Sequence, residues 1–152
     1  MSGYAIREAV PDDAEDLAEL YYRHLTQTPP ESPPDLPLWR EKLARFAADP
    51  NYHLLVCEAD GRAAASVTLV IADNLTHGVR PWSIIENVVT HADYRGRGFA
   101  SALIAHAVEM AKAAGCYKVM LATGSKKEST LRFYRSCGFE SETKTAFLMK
   151  LE

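Results

Sequence analysis

Val88-Val89-Thr90-His91-Ala92-Asp93-Tyr94-Arg95-Gly96-Arg97-Gly98-Phe99-Ala100 runs from an apolar, β-branched stretch through a polar corner into a glycine-spaced basic loop. The loop opens directly into a helical pattern. A strand, a glycine turn and a helix in that order make an anion site. The first N–H groups of a helix lack internal partners, and the helix dipole places positive potential there. Gly96 and Gly98 let the backbone come close to a phosphate, and Arg95 and Arg97 add charge. The plainer alternative is an ordinary glycine-rich strand-to-helix turn. A Walker loop is excluded, because no Gly-Lys-Ser/Thr closes the motif. A dinucleotide fingerprint fits poorly: Ser101 takes the place of the third glycine, and Tyr117-Lys118-Val119 stands where an acid is needed.

Working outward, the strand before the loop is Trp82 to Thr90. The helix after it runs from about Gly98 to Ala114, with Ala100, Leu103, Ala107, Met110 and Ala111 on one face and Gly115 as its stop. Tyr117 to Thr123 reads as the next strand. Ser125-Lys126-Lys127-Glu128 reads as a capping box, opening a helix that carries Leu131, Phe133 and Tyr134 and ends at Gly138. A last strand is expected within Thr143 to Leu151. On the N-terminal side, Tyr4 to Val10 is a strand, and Pro11-Asp12-Asp13-Ala14-Glu15 starts a helix with Ala14, Leu17, Ala18, Tyr21 and Leu25 on its apolar face. Five of the eight prolines fall between Thr28 and Pro37, which makes that segment a loop. Leu38 to Ala48 is a second helix. His53 to Ala59 and Arg62 to Ala72 form a hairpin about Asp60-Gly61, and Asn74 to Pro81 is a loop. The order is β-α-α-β-β-β-α-β-α-β. Hairpins demand antiparallel neighbours and the later strand-helix-strand crossover demands parallel ones, so the sheet should be mixed and mostly antiparallel, flanked by helices, an α/β (α+β) fold.

The chain has 152 residues and a formal charge of −3. That length fits one domain spanning residues 1–152, and that charge gives no reason to expect nucleic acid. No apolar run spans a bilayer and no signal-peptide pattern opens the chain, so no membrane is expected. Cys57, Cys116 and Cys137 are odd in number and lack metal-type spacing. They point to a reducing, cytoplasmic setting and to no metal.

The order Arg95-Gly96-Arg97-Gly98-Phe99-Ala100 resembles the pyrophosphate loop of the GCN5-related N-acetyltransferases, the GNAT superfamily. Leu131-Arg132-Phe133-Tyr134-Arg135-Ser136-Cys137-Gly138-Phe139 resembles that family's late helix with its catalytic tyrosine. Ile85-Glu86-Asn87-Val88-Val89 and Gly115-Cys116-Tyr117-Lys118-Val119 look like the glucosamine-phosphate N-acetyltransferase branch. The chain departs from that branch at acidic positions: Glu86-Asn87 replaces an acidic pair, and Ala122 or Thr123 stands where the next strand carries an acid.

The resemblance implies an acetyl-CoA-dependent N-acetyltransferase, an acyltransferase without a metal, moving an acetyl group to a primary amine of a small molecule by direct attack in a ternary complex. Acetyl-CoA would lie along the backbone of Val88, Val89 and Thr90, with its diphosphate on the amides of Arg95, Gly96, Arg97, Gly98, Phe99 and Ala100. Ser129 would touch it near the late helix start, and Lys126 and Lys127 could meet its 3′-phosphate. Glu86 is the candidate base, set in an otherwise apolar run that would raise its pKa; the alternative is an outward strand residue paired with Arg80. Tyr134 is the candidate acid for the departing thiolate; the alternative is a core aromatic. Arg80, Trp82 and Asn87 are candidate substrate contacts, with His77 nearby, and His91 has no assigned role beyond hydrogen bonding. The family also implies a homodimer, with Tyr117 to Met120 and the final strand as its expected contacts. Two other readings share the residues: transfer to a protein or peptide amine, and a CoA-binding module without catalysis.

Overall fold

The computed structural model describes residues 3–26 and 28–152. The chain divides into two compact units, Met1–Met120 and Leu121–Glu152. Five strands stand in the sheet in chain order: β1 (Tyr4–Glu8), β2 (Tyr52–Ala59), β3 (Arg62–Ala72), β4 (Trp82–Thr90) and β5 (Val119–Leu121). The first three pairings are antiparallel. The fourth is begun by Tyr117 N–H on Pro81 O (3.0 Å) and Ser83 N–H on Lys118 O (3.1 Å). Residue numbers rise together across it, as in a parallel pair. The sheet is therefore mixed and mostly antiparallel, as hairpins followed by one crossover require.

The alternation along β2 explains the layering. Leu54 and Val56 of β2 join a buried cluster with Leu17, Leu20 and Leu43. Leu55 and Cys57 are also fully buried but lie one residue out of step, so they face the other way. On that side lies α4 (Phe99–Ala113), which buries Leu103, Ile104, Ala107 and Ala111. Each such leucine or isoleucine contributes about 1.5–3 kcal/mol on burial. With both faces covered, β3 is buried along nearly its whole length, including Ser66 and Thr68.

The helix expected after β1 has three parts: a 3-10 turn (Pro11–Asp13), α1 (Ala14–Glu19) and a π-helical segment (Leu20–Leu25). Its start is not capped by the expected Asp12-to-Glu15 spacing. Asp13 does that work, accepting from Val10 N–H at 2.8 Å and forming two bonds with the Arg7 guanidinium at 2.8 and 2.9 Å. Burial opposes the charge on Asp13, but Arg7 and the Val10 amide outweigh it and hold the carboxyl below its usual range. The π-helical segment ends with Thr26 N–H on Tyr21 O, five residues back. Its widened turn buries Leu20 while Tyr21 and Leu25 still pack on the same cluster. Next, α2 covers Leu36–Ala48. It starts two residues earlier than the sequence suggested, because the Asp35 side chain caps Leu38 N–H at 3.1 Å and Pro37 is tolerated in the first turn. The loop from Asn74 to Pro81 contains only a four-residue helical turn, α3 (Thr76–Val79).

The second unit departs most from expectation. The strand β5 is three residues long rather than seven. The capping box at Ser125 does not form. Ser125 Oγ accepts from Lys127 N–H and donates to Thr130, and α5 starts at Glu128 and ends at Ser136. No strand forms within Thr143 to Leu151. Phe147, Leu148, Met149 and Leu151 are between 81% and 95% exposed. A strand needs a neighbour for its backbone groups, and this segment has none among the described residues.

Candidate active site

The centre of β4 is irregular. Thr68 stands opposite Glu86 and Ser66 opposite Val89, so Asn87 and Val88 together face the single residue Val67. This is a β-bulge, and Asn87 takes the left-handed conformation (φ 55°) that makes it. Asparagine is among the few residues that accept that geometry at modest cost. The bulge breaks the in-out alternation, so Glu86 and Asn87 are both exposed while Ile85 and Val89 are buried. The apolar surroundings expected for Glu86 are therefore absent: its carboxylate stands in the open. Arg80 does not pair with it. Two of the guanidinium nitrogens donate to Gly115 O and Cys116 O, both at 3.1 Å, and tie the β3–β4 loop to the entry of β5. His77 is stacked on Tyr117 at 3.7 Å between centroids. Trp82 is half-buried at the start of β4.

The loop after β4 has the form of an anion cradle. Gly96 (φ 79°) and Gly98 (φ 81°) are left-handed, and a Cβ at either would meet nothing within 4 Å. Glycine is thus required by backbone conformation and not by crowding inside the chain. Ala102 N–H bonds to Gly98 O at 3.0 Å, the first full turn of α4. The amides of Phe99, Ala100 and Ser101 precede that turn and are left for an outside acceptor. Phe99 is 6% exposed, with its ring against Tyr4 and Tyr94, so only its backbone can serve a ligand. Arg95 is exposed. Arg97 lies over the Tyr94 ring at 4.9 Å.

Three anchors fix this loop, and the sequence showed none of them. Tyr94 is buried and donates its hydroxyl to Asp60 in the β2–β3 turn at 3.0 Å. His91 is 7% exposed, accepts Asp93 N–H on Nδ1 at 3.1 Å, and caps the short turn Ala92–Tyr94. Its Nε2 meets Glu19 at 3.3 Å, and Glu19 is held in turn by Arg62 at 2.6 Å. A histidine just before an Ala-Asp pair was the only clue, and it does not distinguish a cap from a surface residue.

In the second unit, Tyr134 is half-buried on α5, with its ring edge-on to Phe133 at 5.2 Å. Burial, with Cys137 nearby, pushes its phenol above the ordinary tyrosine range. A phenol so placed keeps its proton at neutral pH, as a donor must. Ser129 is exposed near the start of the same helix.

A mixed sheet whose fourth strand is bulged, followed by an amide cradle at a helix start, is the architecture of an acyltransferase. The family model for the Acetyltransferase (GNAT) family matches residues 14–139, and the chain belongs to that family. It is an acyltransferase. It is 34% identical over 118 residues to a glucosamine 6-phosphate N-acetyltransferase of Trypanosoma brucei brucei, covering 78% of this chain and 77% of that one. Among solved structures, a candidate acetyltransferase from Agrobacterium tumefaciens str. C58 superimposes with a TM-score of 0.85 at 39% identity, over 96% of this chain and 99% of that one. Glucosamine-6-phosphate N-acetyltransferase from Arabidopsis thaliana shares the fold with a TM-score of 0.82 at 22% identity, each chain covered to 99%. No helix among the described residues is long and apolar enough to cross a membrane.

Proposed function

We propose that residues 1–152 act as one N-acetyltransferase domain that moves the acetyl group of acetyl-CoA to a primary amine of a small molecule. The observation that carries this reading is the cradle of left-handed Gly96 and Gly98 at the start of α4, directly after the bulge in β4. The diphosphate of acetyl-CoA would be held by the amides of Arg95 to Ala100, with Arg95 adding charge. The pantetheine arm would lie on the backbone of Val88, Val89 and Thr90. The bulge favours this placement, because it frees backbone groups on β4 from the ladder with β3.

Chemistry then has two proton steps. The acceptor ammonium loses a proton to Glu86, directly or through water, and the free amine attacks the thioester carbonyl. The tetrahedral intermediate collapses with cleavage of the C–S bond, and the leaving thiolate takes the proton of Tyr134. The proton that nitrogen sheds as the amide forms restores the Tyr134 phenol, while Glu86 passes its own proton to water. Exposure to solvent suits Glu86 to meeting a polar amine that arrives from solvent. Asn87, Trp82 and Arg80 are assigned to the rest of the acceptor from their places along and just before β4, and Ser129 to acetyl-CoA on the family likeness. Two of the relatives named above are glucosamine 6-phosphate N-acetyltransferases, and an acceptor of that general class, a small hydroxyl-rich amine, is the one proposed. The test is release of free thiol from acetyl-CoA against a panel of amines. Amino sugars, phosphorylated or not, should head the panel; peptide amines ahead of every small amine would reject the small-molecule reading. Gly98→Pro forces φ from 81° to about −65°. It should weaken acetyl-CoA binding tenfold or more, read by calorimetry. Wild-type affinity in this variant would remove the diphosphate from the cradle.

The same reading includes a homodimer in a reducing compartment. Cys57, Cys116 and Cys137 are all free thiols. β5 is the last strand in the sheet order. Thr145, Phe147, Met149 and Leu151 alternate with Ala146, Leu148 and Lys150 as a strand would. A second copy supplies both an edge and a strand in a closed, two-fold exchange. Phe147→Asp with Met149→Asp should convert a dimer to a monomer by light scattering. A monomeric wild type would reject the dimer.

A further inference from the structure

Glu19, His24 and His91 come from α1, the π-helical segment and the end of β4, and their ligand-type atoms lie within 4.8 Å of one another. That grouping has the look of a metal site, but its hydrogen bonds argue otherwise. His91 Nδ1 accepts a backbone N–H, so in the neutral ring Nε2 carries the proton and points it at Glu19. No lone pair of His91 then faces the centre of the group. Glu19 is also occupied by Arg62.

Resting on the acetyl-CoA reading above, we infer that His91 is a positioning residue for acetyl-CoA, holding the turn Ala92–Tyr94 in the one geometry that aims the amides of residues 96–100 at the diphosphate. The turn is short and leads straight into the two left-handed glycines. Its register is set by the bond from Asp93 N–H to His91 Nδ1 at one end and by the Tyr94–Asp60 bond at the other. His91 is itself fixed from three sides: Glu19 on Nε2, the His24 ring at 4.3 Å between centroids, and the Tyr94 ring edge-on at 5.9 Å. Such convergence on one imidazole exceeds what an exposed strand end needs.

His24 is kept below the ordinary imidazole range by burial first and then by His91 and Arg95, with Glu19 opposing, so it covers His91 as a neutral ring.

The test compares wild type, His91→Ala and His91→Asn. Asparagine offers a side-chain acceptor to Asp93 N–H, as at helix N-caps. His91→Ala should raise the KM for acetyl-CoA about 3- to 30-fold with kcat changed far less, the range that loss of a cap implies. It should also speed amide exchange over residues 93–98 in the free protein. His91→Asn should recover most of the affinity and exchange protection. Unchanged KM and exchange in His91→Ala overturns the inference, and so does a failure of His91→Asn to recover either. If wild type binds no acetyl-CoA by calorimetry, the cosubstrate reading falls instead, and amide exchange of the three free proteins decides whether His91 positions the loop.

Discussion

Tyr134→Phe lowers kcat by about 10²–10⁴-fold, the usual share of a general acid, while acetyl-CoA affinity and the melting temperature stay close to wild type. The variant removes one hydroxyl from a half-buried ring on α5 and leaves its contact with Phe133 in place. The pH profile gives the sign. Burial raises the Tyr134 phenol above its ordinary value of about 10. Wild-type turnover that depends on this proton should then hold through neutral pH and fall only on an alkaline limb above about pH 10, and the Phe variant should lose that limb. An acceptor for which chemistry limits the rate must be used, confirmed by the absence of a product burst. Equal turnover of the two proteins on such an acceptor removes Tyr134 from the reaction.

The second large effect belongs to Glu86. Glu86→Gln should leave acetyl-CoA binding intact and cut kcat most at low pH, where free amine is scarce. As pH climbs toward the amine's own pKa, solution supplies the free base and the defect shrinks. The rival role is an anchor for a cationic acceptor. Loss of an anchor raises the acceptor's KM at every pH and spares kcat, because it removes a contact made equally in ground and transition states. A pH series of both constants separates the two. The position of Glu86 makes the contrast sharp: no ion pair with Arg80 intervenes, and the residue is exposed to solvent.

The parts of this fold that were legible in the sequence are those specified by local chemistry. The Asp60-Gly61 hairpin, the strand Trp82–Thr90, the glycine start of α4 and its stop at Gly115 each rest on a residue whose conformational preference allows few alternatives. What stayed hidden was set by tertiary partners. The bulge at Asn87 cannot be read from Ile-Ile-Glu-Asn-Val-Val, which scans as continuous strand, and it overturned the expected apolar setting of Glu86. The π-helical turn at Leu20–Leu25 hides inside a pattern that fits an ordinary helix. His91 looked like a polar strand end because Glu19 and His24, which surround it, lie about 70 residues earlier. The final segment read as a strand because Thr145 to Leu151 has strand chemistry, yet alternation specifies one face and says nothing of which chain provides the neighbour.

The division at Leu121 has a consequence for how the molecule is made. Leu121–Glu152 contains no buried side chain, although it holds Leu131, Phe133, Phe139 and Phe147. A stretch of that size without a core of its own is well below what folds alone. The unit before it has the sheet, the covered β3 and the complete glycine cradle. Ribosomes add about 5–20 residues per second, and N-terminal units fold first. For several seconds the nascent chain would carry a finished diphosphate cradle and no Tyr134. Acetyl-CoA met during that interval would find the loop proposed to bind it before the helix that carries Tyr134 has been made.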